Sequence, residues 1–244
     1  MRRKIMNKKS PDLLLVNSGG RKRGFTNRFL AKPPEPPIWA GLMATYARNQ
    51  GASVEILDSN GENLDAQETA KKIDEIKPLL VAVVVYGHNP SASTQVMPAT
   101  GNICQEIKAL TSNQPILLLG GHVSALPEQT LREEMADFTC GGEGLVTLVE
   151  LVLALKSGNS SDIEKVSDLW YEANGKIRNN PPAPLNRDIN QNMPEIAWDL
   201  LPMSNYRAHN WHCFGDLERE PYAAIYTTLG CPYRWYLLLY TSTF

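Results

Sequence analysis

The sequence predicts an α/β protein built on a five-stranded parallel sheet with flanking helices. Five apolar runs of strand length lie between residues 12 and 139, and the segments between them carry apolar side chains at helical spacing. Several runs end in glycine-rich turns, which is how strands of a parallel sheet lead into helices. Strands that alternate with helices in this way are typical of a doubly wound sheet of the flavodoxin-like or Rossmann-like type.

The predicted strands are Asp12–Val16, Ser53–Asp58, Leu79–Tyr86, residues 115–119 and Ala136–Thr139. The third run is the longest, and we expect it at the centre of the sheet because a strand buried on both faces is apolar throughout. Helices are predicted over residues 38–49 and 65–77, through Ile103 and Ile107, from Pro127 onward and over Leu145–Leu155. Right-handed crossovers then place the carboxyl ends of all five strands at one edge of the sheet.

The composition changes after Lys156. Residues 157–161 are predicted as a linker, and residues 169–178 as a β-hairpin that turns at Asn174-Gly175. A connector rich in proline and asparagine follows, and a strand-like run begins at Tyr222. We therefore predict a tail at residues 1–11, a domain at residues 12–156, and two further segments at residues 157–221 and 222–244.

The overall composition excludes several classes of partner. The chain has 244 residues, a net charge of −2 and a pI of about 6.1, which gives no indication of a nucleic-acid or membrane-surface partner. No apolar run reaches the ~20 residues of a membrane helix, and the basic N-terminus is not followed by the apolar stretch of a secretory signal. The four cysteines show no paired spacing, which favours the reducing cytoplasm. The oligomeric state is not predicted.

Glycine and polar residues cluster where the predicted strands end, at the edge where open α/β sheets bind ligands. The five loops are Asn17–Gly20, Asp58–Gly61, Gly87–Ser91, Gly120–Ser124 and Gly141–Gly144. None has the Walker pattern or Gly-x-Gly-x-x-Gly, and the acid within Gly141–Gly144 disfavours a pyrophosphate. Tight turns alone explain each glycine cluster as well as a ligand does.

His88 and His122 fall in two of these loops, and a neutral imidazole nitrogen can bind a metal or contact a cofactor. An ordinary hydrogen-bonding role explains His88 better, whereas His122, beside glycines and a serine, is the stronger candidate for contact. His209 and His212 lie near Cys213, but no fourth ligand has a suitable spacing. We therefore interpret those two histidines as structural or surface residues.

Cys231 lies in the run Thr-Thr-Leu-Gly-Cys-Pro-Tyr-Arg, which resembles the start of the cluster loop of radical S-adenosylmethionine enzymes. In those enzymes three cysteines in a Cys-x3-Cys-x2-Cys spacing hold a [4Fe–4S] cluster and leave one iron for S-adenosylmethionine. The Gly-Gly-His at residues 120–122, followed by Pro127-Glu128, and the Gly-Gly-Glu-Gly at residues 141–144 resemble the cobalamin-binding domain that precedes the barrel in one large subfamily. The resemblance assigns residues 12–156 to the cobalamin domain, 157–221 to a connector and 222–234 to the first strand of an incomplete barrel.

The resemblance implies cobalamin as the cofactor. The residues that it places around the corrinoid all lie in the strand-end loops: Ser18, Gly19, Gly87, His88, Gly120, Gly121, His122, Val123, Ser124, Gly141, Gly142, Glu143 and Gly144. The sequence lacks the Asp-x-His-x-x-Gly motif with which methionine-synthase-like domains supply a histidine to the cobalt. Cobalamin without a lower histidine ligand is therefore implied, and His88 and His122 are the candidates for an exception. Methyl transfer, driven by a 5′-deoxyadenosyl radical, is the reaction implied for an intact relative.

Two departures from the family pattern limit what is expected of this chain. Trp235 and Leu238 stand where the pattern has cysteines, so Cys231 would be a stranded metal ligand and neither the cluster nor S-adenosylmethionine would be held. A barrel needs about 200 residues, and residues 235–244 suggest a truncated or frame-shifted end, so enzymatic activity of this chain is left open. The alternatives are a non-catalytic flavodoxin-like module for a corrinoid or a partner protein, and an α/β enzyme using a nucleotide or flavin. The substrate is not predicted.

Overall fold

The computed structural model describes residues 10–18, 34–86, 90–192, 195–208 and 221–225. The strands are β1 (Leu13–Asn17), β2 (Val54–Asp58), β3 (Leu80–Val84), β4 (Ile116–Leu119), β5 (Phe138–Cys140), β6 (Leu169–Ala173) and β7 (Lys176–Asn179). They form one sheet in the order β2-β1-β3-β4-β5-β6-β7. The first five strands pair in parallel, and the last two join the sheet antiparallel.

The helices alternate with the strands as predicted. They are α1 (Ile38–Asn49), α2 (Ala66–Ile76), α3 (Pro90–Leu110), α4 (Gly121–Ala125), α5 (Pro127–Glu133), α6 (Leu145–Ser157), α7 (Ser160–Ile163) and α8 (Ile189–Asn192). Short 3-10 turns follow at Trp198–Leu200 and Met203–Asn205. No helix within the described parts of the chain is long and apolar enough to cross a membrane.

The core lies on both faces of the parallel strands. In β1, Leu13 and Leu15 pack on the face covered by α1 and α6, whereas Leu14 and Val16 pack on the face covered by α2 and α3. All four side chains are fully buried, which is why the run is apolar without alternation. The predicted doubly wound arrangement of five parallel strands is confirmed.

The hairpin β6–β7 forms where the sequence predicts it, but it also extends the sheet. Its register places Tyr171 opposite Phe138 and Leu169 opposite Cys140 of β5. Leu169 and Tyr171 are buried in the same core as α6, because alternate side chains of a strand point to one face. The sheet therefore has seven strands, five of them parallel, and the edge of β5 is covered by the hairpin.

The strand order fixes where a ligand would bind. From β1 the chain crosses to β2 on one side, and from β2 it returns to β3 on the other side of β1. This reversal between β1 and β3 is the switch point at which open α/β sheets form a crevice, beyond the carboxyl ends of the strands. We call this side of the sheet the carboxyl edge.

The predicted strand at Tyr222–Thr228 is only partly described. Residues 221–225 have no regular secondary structure, and the remaining positions lie outside the described residues together with Cys231.

Candidate functional site

The carboxyl edge is held together by a close backbone contact between β3 and β4. Gly120 has a φ of +145°, and a Cβ added to it would lie 2.1 Å from the carbonyl oxygen of Val85. The amide of Val85 in turn donates to the carbonyl oxygen of Leu119 over 2.7 Å. Only glycine fits at position 120, because both the backbone conformation and the space exclude a side chain.

Ser93 links the same two strand ends through its hydroxyl group. The hydroxyl donates to the carbonyl oxygen of Val85 and accepts the backbone N–H of His122 at 2.9 Å. Ser93 is 1% exposed, so these bonds are shielded from water. The sequence did not lead us to predict a role for Ser93. Its position just after the predicted loop Gly87–Ser91 was the one indication of such a role.

His122 lies in the short helix α4 rather than in a loop. Its Nδ1 is 3.1 Å from the hydroxyl oxygen of Thr94 in α3, so a ligand would be contacted through Nε2. The hydroxyl of Ser124 donates to the carbonyl oxygen of Gly121, one turn back in α4, at 3.2 Å. Val123, between them, is fully buried in the core, so only its backbone can face a ligand.

The end of β1 is more enclosed than the sequence suggests. Ser18 is 1% exposed, and its hydroxyl shares a 2.7 Å hydrogen bond with the hydroxyl of Thr100 in α3. Gly19, Gly87 and His88, which complete the predicted contact set, lie outside the described residues.

The loop Gly141–Gly144 is covered by a segment from much later in the chain. A carboxylate oxygen of Glu143 accepts the backbone N–H of Asn186 at 2.9 Å, and Asp168 accepts the backbone N–H of Ala183 at 2.8 Å. We call residues 183–187 the strap. A Cβ at Gly142 would lie 2.2 Å from a carboxylate oxygen of Asp168, so this glycine makes room for the strap's anchor.

A cavity of about 280 Å³ lies under the strap. Its walls come from the loop Gly142–Gly144, the first turn of α6, Tyr46 of α1, Asp168, the strap and Asn192. The wall combines apolar side chains of α6 and the strap with charged ones, namely Arg187 and two carboxylates. Sequence reasoning identified the glycine loop but neither Asp168 nor the strap, because these contacts join positions far apart in the chain.

An aromatic pair lies at the same edge, between the first turn of α1 and the end of β3. The rings of Trp39 and Tyr86 stack with centroids 4.5 Å apart and planes 18° apart. Burial raises the pKa of Tyr86, and the neighbouring Cys140 and Glu143 raise it further, so the phenol remains protonated. Burial also raises the pKa of Cys140, to about 11.

The remaining predicted loop, Asp58–Gly61, is covered by Tyr206 from later in the chain. Tyr206 donates its hydroxyl hydrogen to Asp58 at 2.8 Å, and both residues are fully buried. Within the described part of the chain, the rest of the carboxyl edge lies over β3, β4 and β5, where Gly121, His122 and residues 141–143 are half-buried.

This part of the edge suits a large ligand rich in amide groups better than a bare metal ion. Gly121, Gly141 and Gly142, at the ends of β4 and β5, are half-buried and keep backbone groups near the surface, and His122 and Thr94 add side-chain groups. Among the described residues no three His, Cys, Asp or Glu side chains are grouped to hold a metal ion. The donor set fits a corrinoid, whose ring carries its own metal and a rim of amides.

Two curated proteins are similar to the chain in sequence. An uncharacterized methyltransferase of Pyrococcus horikoshii is 31% identical over 199 residues, which is 81% of this chain and 39% of that protein. The anaerobic magnesium-protoporphyrin IX monomethyl ester cyclase of Synechocystis is 25% identical over 181 residues, 72% of this chain and 34% of that protein. The chain thus spans little more than a third of the length of these relatives.

Solved structures share the fold. The radical S-adenosylmethionine methyltransferase TsrM from Kitasatospora setae, with cobalamin and a [4Fe–4S] cluster bound, superposes with a TM-score of 0.56 at 23% identity, over 72% of this chain and 30% of that one. The cobalamin-dependent S-adenosylmethionine radical enzyme OxsB, with aqua-cobalamin bound, gives a TM-score of 0.59 at 21% identity, over 79% of this chain and 25% of that one.

The B12 binding domain family matches residues 30–152, from before α1 into α6. The match contains β2 to β5 and the described loops that form the carboxyl edge over β3, β4 and β5. The chain therefore belongs to the B12-binding domain family and shares its fold with cobalamin-dependent radical S-adenosylmethionine enzymes.

Proposed function

We propose that this chain binds cobalamin at the carboxyl edge of β3, β4 and β5, as the corrinoid-binding part of a cobalamin-dependent radical S-adenosylmethionine protein. The observation that carries the proposal is the contact of Gly120 with Val85, within the region that matches the B12-binding family. Gly120 itself is buried, and its contact holds the loop after β4 against the end of β3, where the half-buried Gly121 and His122 follow at the edge proposed for the flat ring. Close approach of the backbone to a ligand is the usual role of glycine at this edge.

The residues proposed to hold the corrinoid have different tasks. Gly120 and Gly121 offer backbone groups at the end of β4, while Ser93 keeps that loop fixed against β3. Gly141–Gly144 offers the corresponding backbone at the end of β5, beside the cavity under the strap. When bound, cobalamin supplies a cobalt ion that carries and transfers a methyl group; the protein positions it and shields it from water.

We propose that no histidine binds the cobalt, because the sequence lacks the Asp-x-His-x-x-Gly motif that supplies such a ligand. Among the described residues His122 is the candidate for an exception. Its Nδ1 pairs with Thr94 of α3, which would orient the ring and leave Nε2 for a ligand. Substitution of His122 therefore distinguishes cobalamin without a histidine ligand (base-off) from cobalamin bound through this histidine.

A methyltransferase-type reaction is proposed for the whole protein of which this region is a part. The Pyrococcus horikoshii relative is named a methyltransferase, and TsrM is a radical S-adenosylmethionine methyltransferase. The cluster itself does not fit this chain, because Trp235 and Leu238 stand in place of the two cysteines that accompany Cys231 in the family pattern. That departure favours the second candidate, a non-catalytic module that binds a corrinoid or a partner protein.

An absorbance titration of the full chain with hydroxocobalamin and methylcobalamin tests the proposal. Saturable binding with a base-off spectrum is expected for the wild-type chain and for His122→Ala. A histidine-bound spectrum that is lost in His122→Ala would assign the lower ligand to His122 instead. A folded sample, judged by circular dichroism, that binds neither cobalamin at high micromolar concentration would overturn the proposal.

A further inference from the structure

Asp168, which directly precedes β6, has a backbone conformation that is uncommon for a residue with a side chain. Its φ is +56°, in the left-handed region, where aspartate and asparagine are tolerated better than most residues. Its carbonyl oxygen accepts the backbone N–H of Gly141, at the end of β5, at 2.9 Å. Its own backbone N–H donates to the carbonyl oxygen of Pro181 at 2.8 Å. One residue therefore joins the loop after β5 to the segment that leads into the strap.

The side chain of Asp168 lies between the same two segments. Its Oδ2 accepts the backbone N–H of Ala183, at the start of the strap, at 2.8 Å. The same oxygen lies 2.2 Å from the position that a Cβ on Gly142 would take, so the carboxylate occupies the space that this glycine leaves. A charged acceptor forms stronger hydrogen bonds than a neutral one. The carboxylate therefore connects the strap to the loop by packing as well as by a hydrogen bond.

The strap needs such anchors because its closed position leaves one polar group unsatisfied. The side-chain nitrogen of Asn186 is buried and has no hydrogen-bond partner among the described residues, although its side-chain oxygen accepts the amide of Asn192 at 2.9 Å. A buried donor without a partner destabilises the arrangement that buries it. The carboxylates of Asp168 and Glu143, which bind two backbone N–H groups of the strap, offset this cost.

We propose that Asp168 is a positioning residue of the corrinoid site, which holds the strap over the loop Gly141–Gly144 and so keeps that loop in its binding conformation. The inference rests on the proposed function. Asp168 acts without touching the corrinoid, because its contacts fix the backbone of the loop and one wall of the cavity beside it. A loop that is fixed before the ligand arrives loses less conformational entropy on binding, and this preorganisation raises affinity.

The test compares three variants of the full chain. Asp168→Gly removes the carboxylate and keeps the left-handed backbone conformation, which glycine adopts without strain. Asp168→Asn keeps both that conformation and an oxygen that can accept the N–H of Ala183. Glu150→Ala is the matched control, because the carboxylate of Glu150 in α6 accepts the backbone N–H of Ser167, one residue before Asp168, at 2.7 Å.

Hydrogen–deuterium exchange followed by mass spectrometry measures the opening of the strap without any corrinoid, and an absorbance titration with hydroxocobalamin measures the affinity. In Asp168→Gly we expect exchange of the strap amides to become about tenfold faster and cobalamin binding about tenfold weaker, while exchange in β1 stays as in the wild-type chain. Asp168→Asn should restore slow exchange and affinity, because its amide oxygen still accepts the N–H of Ala183. Glu150→Ala should show wild-type values in both measurements.

Three results would each overturn the inference: wild-type affinity in Asp168→Gly, unchanged strap exchange in that variant, or an equal loss of affinity in Glu150→Ala. Absence of cobalamin binding by the wild-type chain would instead overturn the proposed function, since strap exchange still reports on the anchor. If Asp168→Gly does not fold, Gly142→Ala tests the same contact, because the added Cβ would displace the carboxylate from Ala183. That variant should also speed strap exchange, and unchanged exchange would contradict the role of Asp168.

Discussion

Gly120 is the residue at which one added carbon would disturb the candidate site most directly. The atom that a Cβ would meet is the carbonyl oxygen of Val85, and a backbone atom cannot move aside as a flexible side chain can. The φ of +145° adds a second penalty for any residue with a side chain.

We predict that Gly120→Ala lowers the free energy of unfolding by about 2–4 kcal/mol, the range typical of strained backbone and overpacking. The matched control is Gly51→Ala, which has a φ of +85° but no atom within 4 Å of the added Cβ. That variant should lose only about 1 kcal/mol. Urea unfolding followed by circular dichroism measures both, and equal losses would show that the contact with Val85 contributes nothing.

The buried cysteines give a second prediction at the scale of single residues. Cys104 and Cys140 are both fully buried, and burial raises their pKa values to about 12 and about 11. Since the thiolate is the reactive form, both should resist iodoacetamide at pH 8 in the native protein and react once it is unfolded in urea. Mass spectrometry of the labelled peptides measures this, and rapid native labelling of either residue would contradict the burial.

Among the elements, β1 depends on a polar contact at its beginning. Asp12 accepts the amide of Ser53 at 2.8 Å and lies 2.7 Å from the ammonium group of Lys156, near the end of α6. Burial alone would raise the pKa of Asp12, but the hydrogen bonds from Lys156 and Ser53 outweigh it, and the pKa is lowered. The contact thus joins β1, the start of β2 and α6.

A lowered pKa means that the ionised carboxylate stabilises the fold at pH values above its ordinary pKa, and that this contribution is lost as the pH falls through the lowered value. We predict that Asp12→Asn costs about 1 kcal/mol of unfolding free energy at pH 7. The difference from wild type should shrink below about pH 4. Thermal unfolding across pH measures it, with Asp162→Asn as a control because Asp162 pairs with Lys165 at the exposed surface. A difference independent of pH would exclude the ionic contribution.

The sequence predicts the elements that local pattern determines. Apart from Asn17 at the end of β1, the strands β1, β3 and β4 are buried runs of Leu, Ile, Val and Ala, and they form where expected. The helix α4 was predicted as a loop, because five residues that begin with Gly121 show no helical period. The hairpin was predicted from Asn174-Gly175, but its pairing with β5, which places Tyr171 opposite Phe138, has no local signal.

For the whole molecule, the sequence suggests a packed segment around Trp198 and Tyr206, but not what residues 195–208, which we call the clasp, pack against. The glycine loops of the candidate site were found because glycine marks strand ends, whereas the partner of Asp58 is Tyr206, far along the chain. The same holds for the strap, where Asp168 and Glu143 bind backbone amides that carry no sequence information. The sequence therefore predicts which loops meet at the edge, but not which later segments cover them.

We predict that the clasp contributes to the stability of the whole domain. Ile196, Leu201 and Tyr206 form a buried cluster with Ile38 of α1. Deleting residues 195–244 should therefore lower the unfolding free energy by about 3 kcal/mol or more relative to deleting residues 209–244, as expected for the loss of several buried side chains. Calorimetry of the two shortened chains measures the difference, and equal stability would show that the clasp is only loosely attached.

The outer strand β7 has a consequence for how copies of the protein behave toward one another. Within the described sheet β7 pairs only with β6, so its other side presents backbone N–H and C=O groups that could template a strand from a second molecule. The strand is four residues long, and Lys176 and Arg178 are both exposed along it. Two molecules that paired along this edge would bring like charges together. The strand is too short for its backbone hydrogen bonds to offset that repulsion. The short, positively charged strand β7 therefore disfavours edge-to-edge pairing between copies of the protein, which is one route to fibrous aggregation.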